Sequence, residues 1–374
     1  MITEFEKSRN KFMDITNLIG MGTGALQYKV TGNRKPLVVS ISLTSKCNLR
    51  CTYCYSYEDN QSAITVPFDR LKWIIDEFYD LGTRVIMLQG GEPTLHKQFA
   101  EIVDYVKEKN IYCSVTTNGT RFEKHLCALK KLDQVQLSID GEKNLTDSYR
   151  GKGVFDTIMK AIGLCNSNNI PFHLHAVITN SSTVENTLDP LIEICKKNNT
   201  YLNFCIPNPT GGAKDINLAN NQQIQEFYQI ILERKKQGMP TNTSYSAIKN
   251  IIRWGDRFAY DKYVERDDEK NTKKFKKCVM GNLVAWLDTR GQLHPCAVQF
   301  GQPGFSASID KFGVKGAWDK IQTLPCHHCA NSSEFNSLFN LKPEAIVNSL
   351  KFRGNAKQRG SVTGARREEG VLMK

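Results

Sequence analysis

From Leu37 onward the sequence switches between short β-branched runs and amphipathic helical periods, and this alternation limits the chain to few folds. Leu37–Leu43 (LVVSISL), Val85–Leu88, Tyr112–Thr116, Gln134–Ile139, Phe172–Ile178 and Leu202–Ile206 read as strands. Asp69–Leu81, Gln98–Lys109, Arg121–Lys131, Val154–Asn166, Val184–Lys197 and Gln222–Arg234 carry apolar residues at helical spacing. Strands separated by helices pair in parallel and are covered by those helices. Six such units rather than eight predict an α/β fold, an open or partial (βα)6 TIM-like barrel.

In sheets of this kind ligands gather at the carboxyl ends of the strands. The polar, glycine-rich loops of this chain follow the strands consistently. They are Gln89–Pro93, Thr117–Gly119, Ser138–Gly141, Thr179–Asn180 and Asn208–Gly212. After the first strand comes Ser45-Lys46-Cys47-Asn48-Leu49-Arg50-Cys51-Thr52-Tyr53-Cys54, whose three thiols are separated by gaps of three and two residues. One short loop can turn three such sulfurs toward a point, as an iron–sulfur cluster requires. A zinc site wants a fourth ligand, and none stands in this loop. Three ligands on a four-iron cluster leave one iron open to a substrate or cofactor. In Gly90-Gly91-Glu92-Pro93 the glycines permit close backbone approach to a ligand, and the carboxylate can accept hydrogen bonds from an ammonium.

These cysteines, with Tyr53 just before the last, resemble the signature of the radical S-adenosylmethionine (radical SAM) enzymes, and Gly90–Pro93 resembles the family's Gly-Gly-Glu-Pro element. The resemblance covers roughly residues 38–330. It implies a [4Fe-4S] cluster on Cys47, Cys51 and Cys54 whose open iron chelates S-adenosyl-L-methionine. Reductive cleavage then gives a 5'-deoxyadenosyl radical that takes hydrogen from substrate. It also implies that Tyr53, Gly90, Gly91, Glu92 and Pro93 help to hold that cofactor. Asn118, Ser138 and Asp140 offer polar groups to its ribose or carboxylate. Arg150 matches a carboxylate in geometry, although it could equally cap the preceding turn. A reductant such as flavodoxin or ferredoxin is the expected electron donor.

A second group, Cys278, Cys296, Cys326 and Cys329, is too widely spaced for one loop. A hairpin of Leu283–Asp288 and Gln292–Pro295 through Thr289-Arg290-Gly291 would bring Cys278 near Cys296 in a small C-terminal domain. Four thiolates there can close zinc or a second [4Fe-4S] cluster. The spacing resembles the twitch or SPASM-like domain of radical SAM enzymes, which implies an auxiliary cluster. His327 and His328 are candidates for contacts around it. Of the remaining cysteines, Cys113, Cys127, Cys165 and Cys195 read as packing. Cys205, near the end of the sixth strand, can face substrate and return a hydrogen atom to a substrate radical. His173 and His175 share one strand face and read as core or lumen residues.

The expected domains are a helical extension over 1–36, the barrel over 37–236, the cluster domain over 237–340 and a basic tail over 341–374. In the extension Phe5, Phe12, Met13, Ile15, Leu18 and Ile19 suggest a short helix ended at Gly20–Gly24. No apolar run reaches the ~18 residues that cross a bilayer. The N-terminus lacks a signal-peptide layout, so a cytoplasmic, reducing location is expected and the twelve cysteines read as ligands and free thiols. The net charge of +12 concentrates at Lys270–Lys277 and after Lys351, which suits a solvated face or an acidic partner. No nucleic-acid-binding motif accompanies it.

Three functional classes follow. The first is a radical SAM oxidoreductase performing dehydrogenation, epimerisation or crosslinking on a small-molecule or peptide substrate. Because 36 residues cannot hold a leader-binding winged helix, the expectation leans to a small molecule, or to a peptide presented by a separate protein. The second is a redox-inert metal-binding scaffold whose basic segments bind an acidic partner, for which SAM-binding loops would have no use. A radical SAM methyltransferase would need further cysteine arrangements or a cobalamin domain, and neither is visible.

Overall fold

The computed structural model describes residues 15–56, 62–206, 219–254, 264–265, 273, 277–300, 304–321, 326–329 and 333–347. The candidate loop Asn208–Gly212, Phe5, Phe12, Met13, most of the basic stretch 270–277 and the tail from 351 lie outside them.

The six expected strands form one parallel sheet in chain order. They are β1 (Val38–Thr44), β2 (Val85–Gly90), β3 (Tyr112–Thr117), β4 (Gln134–Ser138), β5 (Phe172–Val177) and β6 (Leu202–Cys205). One face of each strand enters the main core: Ile41 and Leu43, Ile86 and Leu88, Val115, Val135 and Leu137, Leu174 and Ala176 are all buried there. Helices close over them. Leu71, Ile74, Ile75 and Phe78 of α2 (Phe68–Asp80) and Phe99, Ile102, Val103 and Val106 of α3 (Phe99–Glu108) repeat at the spacing of one helix face. A fully buried side chain of this kind contributes about 1.5–3 kcal/mol of burial free energy, which makes this layer the fold's main support. The short α4 (Leu126–Leu129), then α6 (Val154–Ser167), α7 (Asp189–Lys197) and α8 (Asn221–Lys236) continue the ring.

The opposite strand faces point inside, apolar at the strands' starting ends (Val38, Val85) and mostly polar farther along. Thr116, Gln136 and His173 form a ladder across β3, β4 and β5, with Gln136 Nε2 donating to Thr116 Oγ1 (3.2 Å) and His173 Nε2 facing Gln136 Oε1 (2.9 Å). His173 stacks flat on Tyr201, ring centroids 4.8 Å apart.

Three features depart from the sequence reading. First, α1 (Ile15–Thr31) runs straight through Gly20, Gly22 and Gly24. Tertiary packing overrides the glycine propensity here. A Cβ on Gly24 would come within 2.7 Å of Leu37 Cδ2, so the glycine lets the helix seat against Leu37. Ala25 of this helix joins Val38, Val85, Val284 and Phe339 in a second core at the strands' starting end. Second, a helix not anticipated, α5 (Lys143–Arg150), follows β4. Third, the C-terminal hairpin of β8 (Val284–Leu287) and β9 (Gln292–His294) does not stand apart as its own sheet. β8 pairs in parallel with β1, Val38 opposite Val284 and Ile41 opposite Leu287. The sheet therefore runs in the order β10-β9-β8-β1-β2-β3-β4-β5-β6, where β10 is Ala307–Ser308. Helix α9 (Tyr245–Trp254) packs on α8, and α11 (Ser333–Phe339) on α9. Between them α10 (Ile309–Lys320) leans toward α2, where Arg70 pairs with Asp310 at 2.7 Å. Among the described residues no helix is long and apolar enough to cross a membrane.

Candidate active site

The cysteine loop leaves β1 at the ligand-binding edge and is zipped to the loop after β2. Gly91 N donates to Thr44 O (2.8 Å) and Glu92 N to Lys46 O (2.8 Å). This contact explains both glycines. Gly90 sits at φ +142°, and a Cβ on it would overlap the Thr44 carbonyl oxygen; one on Gly91 would overlap those of Ser45 and Lys46. The pair lets two backbones meet, and the cysteine loop is one of them.

Glu92 is 1% exposed, and its carboxylate is spoken for on both oxygens. Oε1 accepts from Thr94 Oγ1 (2.6 Å), Thr117 Oγ1 (2.7 Å) and Thr94 N (3.2 Å), while Oε2 accepts from Asn118 N (2.8 Å). Burial raises its pKa above the ordinary carboxylate value, and these hydrogen bonds pull the other way. Pro93 opens the short turn that Glu92 caps. Glu92 thereby joins the loops after β2 and β3. Asn118 continues the chain of contacts, its Nδ2 donating to Asn48 Oδ1 (3.1 Å) inside the cysteine loop, while Asn48 Nδ2 donates to Thr120 Oγ1 (2.8 Å). Thr94 and Thr120 stand out in no way in the sequence, and Thr117 only as the first residue of its loop. Only their position beside a glycine turn could have marked them.

Cys47, Cys51 and Cys54 are half-buried on this loop. Burial pushes the Cys47 thiol up to about 11, opposed by the Leu49 N–H, and the Cys51 thiol up to about 12, opposed by Arg150. Each of these two thiols also feels Cys54, so the three sulfurs share one electrostatic neighbourhood. Thiols of this kind ligate iron by giving up protons. Among the described residues no three His, Cys, Asp or Glu side chains gather tightly enough for a single metal ion. The donor set, its spacing and the glycine-permitted contact behind it fit a cluster.

Ser138 is half-buried at the end of β4, in register with His175, which in turn pairs with Asn203. Asp140 is fully buried and accepts from Tyr53 OH (2.6 Å), Arg150 Nε (2.7 Å), Arg150 Nη2 (2.9 Å) and Val177 N (3.2 Å). Arg150 thus holds Asp140 rather than capping a turn. Instead Asp147 caps the next helix, accepting from Gly153 N and Phe155 N (both 2.8 Å). Cys205 is half-buried beside Val177, and burial pushes its thiol up to about 12.

Cys278, Cys296 and Cys329 are each 7% exposed. Cys296 is pushed up by burial and by the neighbouring charges of Cys329 and Cys278, which places the three together. Asn336 Nδ2 lies 3.5 Å from Cys278 Sγ. The side chains of Cys326 and His328 lie outside the described residues, while the backbone of Cys326 belongs to β11 (Cys326–His328), paired with β7 (Val264–Glu265). An aromatic seam joins this group to the first cysteine loop. Tyr55, next to Cys54, lies 6.3 Å from Trp286 and 6.1 Å from Phe300, four residues beyond Cys296.

A parallel partial barrel with a three-thiol loop and a buried glutamate at the carboxyl ends of its strands defines a class of protein equipped to hold a metal cluster there. Residues 41–191 match the model of the Radical SAM superfamily. The chain is 33% identical over 153 residues to Fe-coproporphyrin III synthase of Methanosarcina barkeri, covering 39% of this chain and 38% of that protein. It is 29% identical over 186 residues to mycofactocin maturase MftC of Mycolicibacterium smegmatis, covering 48% of this chain and 47% of that one. The chain thus spans less than half the length of these curated relatives. The crystal structure of Streptococcus suis SuiB superposes with a TM-score of 0.62 at 16% identity, over 80% of this chain and 69% of SuiB.

Proposed function

We propose that the protein is a radical SAM oxidoreductase in which Cys47, Cys51 and Cys54 hold a [4Fe-4S] cluster. The observation that carries this reading is the cysteine loop locked by Gly90, Gly91 and Glu92 onto the ends of β1 and β2. When bound, the cluster and S-adenosyl-L-methionine supply a 5'-deoxyadenosyl radical able to take hydrogen from substrate. The chain's own part is to seat the cofactor against the backbone at Gly90–Pro93, Asn118 and Ser138. Substrate lies over the inward row Ser138, His175 and Asn203. Both lumen histidines are held neutral by burial, His173 lowered from 6.5 to about 3 and His175 to about 4. With Gln136 and Asn203 they line this part of the lumen with uncharged hydrogen-bonding groups. That lining suits a small molecule or a peptide segment without charge at the reacting end.

Cys205 keeps its proton at neutral pH, and in this reading it returns a hydrogen atom to the substrate radical. The thiyl radical left behind would take an electron from the reductant, flavodoxin or ferredoxin, and a proton from solvent. Cys278, Cys296, Cys326 and Cys329 bind the auxiliary [4Fe-4S] cluster, and a reducing, cytoplasmic setting suits both clusters. Peptide modification draws support from SuiB, a structure of which is bound to its precursor peptide SuiA. The redox-inert scaffold is not favoured, because a scaffold needs no radical SAM domain.

The test is anaerobic reconstitution with iron and sulfide, followed by dithionite and S-adenosyl-L-methionine. Formation of 5'-deoxyadenosine, lost in the Cys51→Ala variant, is the expected result. Stoichiometric zinc at the first three thiols, or no 5'-deoxyadenosine, would overturn the reading.

A further inference from the structure

Asp140 and Arg150 form a buried ion pair, their side chains 1% and 7% exposed. Every acceptor position on the carboxylate is filled. Oδ1 takes Arg150 Nη2 and Val177 N, and Oδ2 takes Arg150 Nε and the Tyr53 hydroxyl. An ionised carboxylate has about four lone-pair sites, so no oxygen is left to receive a ribose hydroxyl or an ammonium. The donors come from three separate parts of the chain: the cysteine loop, the last residue of α5, and β5. Two further contacts run along the same line. Thr52 N donates to Tyr149 O (3.2 Å), and the Tyr53 and Tyr149 rings lie 5.6 Å apart. The Arg150 guanidinium also sits 5.6 Å from the centre of the Tyr53 ring. Tyr53, Leu145 and Tyr149 pack as a cluster of their own, with Cys51 and Val177 against it.

We infer that Tyr53, Asp140 and Arg150 are a latch for the cysteine loop, with the Asp140 carboxylate and the Tyr53 hydroxyl taken up by the latch and not by the cofactor. Asp140, held in place by Arg150 and the Val177 amide, takes the Tyr53 hydroxyl and so pins the segment between Cys51 and Cys54 against α5. The Gly90–Glu92 contact holds the start of the loop and the latch holds its end, so the thiols are presented before metal arrives. The retention part of this inference rests on the cluster reading above; the pinning of the loop does not.

Amide hydrogen exchange on the metal-free protein therefore gives the primary test. In Tyr53→Phe, which removes one hydroxyl and no volume, exchange at residues 51–54 should rise at least tenfold, with the strands unchanged. Unchanged exchange there would overturn the latch. Where Asp140→Asn fails to fold, Tyr53→Phe still decides. After reconstitution, Tyr53→Phe should lose iron to a chelator three- to tenfold faster while its dissociation constant for S-adenosyl-L-methionine stays within twofold of wild type. Unchanged iron loss with at least tenfold weaker S-adenosyl-L-methionine binding would overturn the latch and make Tyr53 a cofactor contact. Should the wild type take up no cluster, the functional reading fails while the exchange result stands.

Discussion

At the scale of single residues, Glu92 uses its one carboxylate to join two strand-end loops. Replacing it with Gln puts an NH2 group where one acceptor oxygen stood, against the Asn118 amide or the threonine hydroxyls. The loss of a buried, charge-assisted bond should destabilise the metal-free protein by about 1–3 kcal/mol, read as a shift of the urea midpoint. The lumen histidines give a pH prediction. Unfolded chains bind a proton on each near 6.5, whereas the folded protein binds them only near 3 for His173 and 4 for His175. The unfolded state holds more protons throughout that window, so stability falls as pH drops below about 6.5. At about 1.4 kcal/mol per pKa unit the loss is on the order of 3 kcal/mol per ring once pH nears 4. Urea unfolding between pH 4.5 and 7 should show this slope, and His175→Gln should flatten it.

At the scale of elements, β1–β6 and their helices were legible because each buries a regular face, and burial writes its period into the sequence. The cysteine loop and Gly90–Pro93 were legible because their chemistry needs particular residue types. Helix α5 was hidden: Leu145, Tyr149 and Gly151 carry a helical step and a stop, but Asp140-Gly141 just before them reads as an ordinary turn. Its partner Arg150 could be seen as a cation without any hint that Asp140 would claim it. The glycine contact gives a prediction here. Gly91→Ala forces the Ser45 and Lys46 carbonyls away, so the loop after β2 and the cysteine loop must separate. A loss of about 1–3 kcal/mol is expected, as for other overpacked sites. Iron bound per chain after reconstitution should drop with it, whereas Gly22→Ala, with open space around the site, should leave iron content unchanged.

For the whole molecule, strands from all three thirds of the chain build one sheet, and the last third joins it at β1. Nothing local in Val284–Leu287 (VAWL) announces that its partner is β1, because long-range pairing leaves no periodic mark. Its consequence for the site is direct, since Trp286 on β8 meets Tyr55 beside Cys54. A chain ended at residue 254 would keep all six barrel strands yet leave β1 as a bare edge. Size-exclusion chromatography should find it aggregated, where a small independent C-terminal domain would have left a monomer.

The union of β1 with β8 also sets an order of events at the ribosome. Thr44 is made about 240 residues before Val284, so on a chain growing at about 5–20 residues per second the first strand waits on the order of 10–50 s for its neighbour. During that interval β1, already paired with β2, keeps one edge bare beside the cysteine loop. A slow-translating message would lengthen the time for which that edge stands bare.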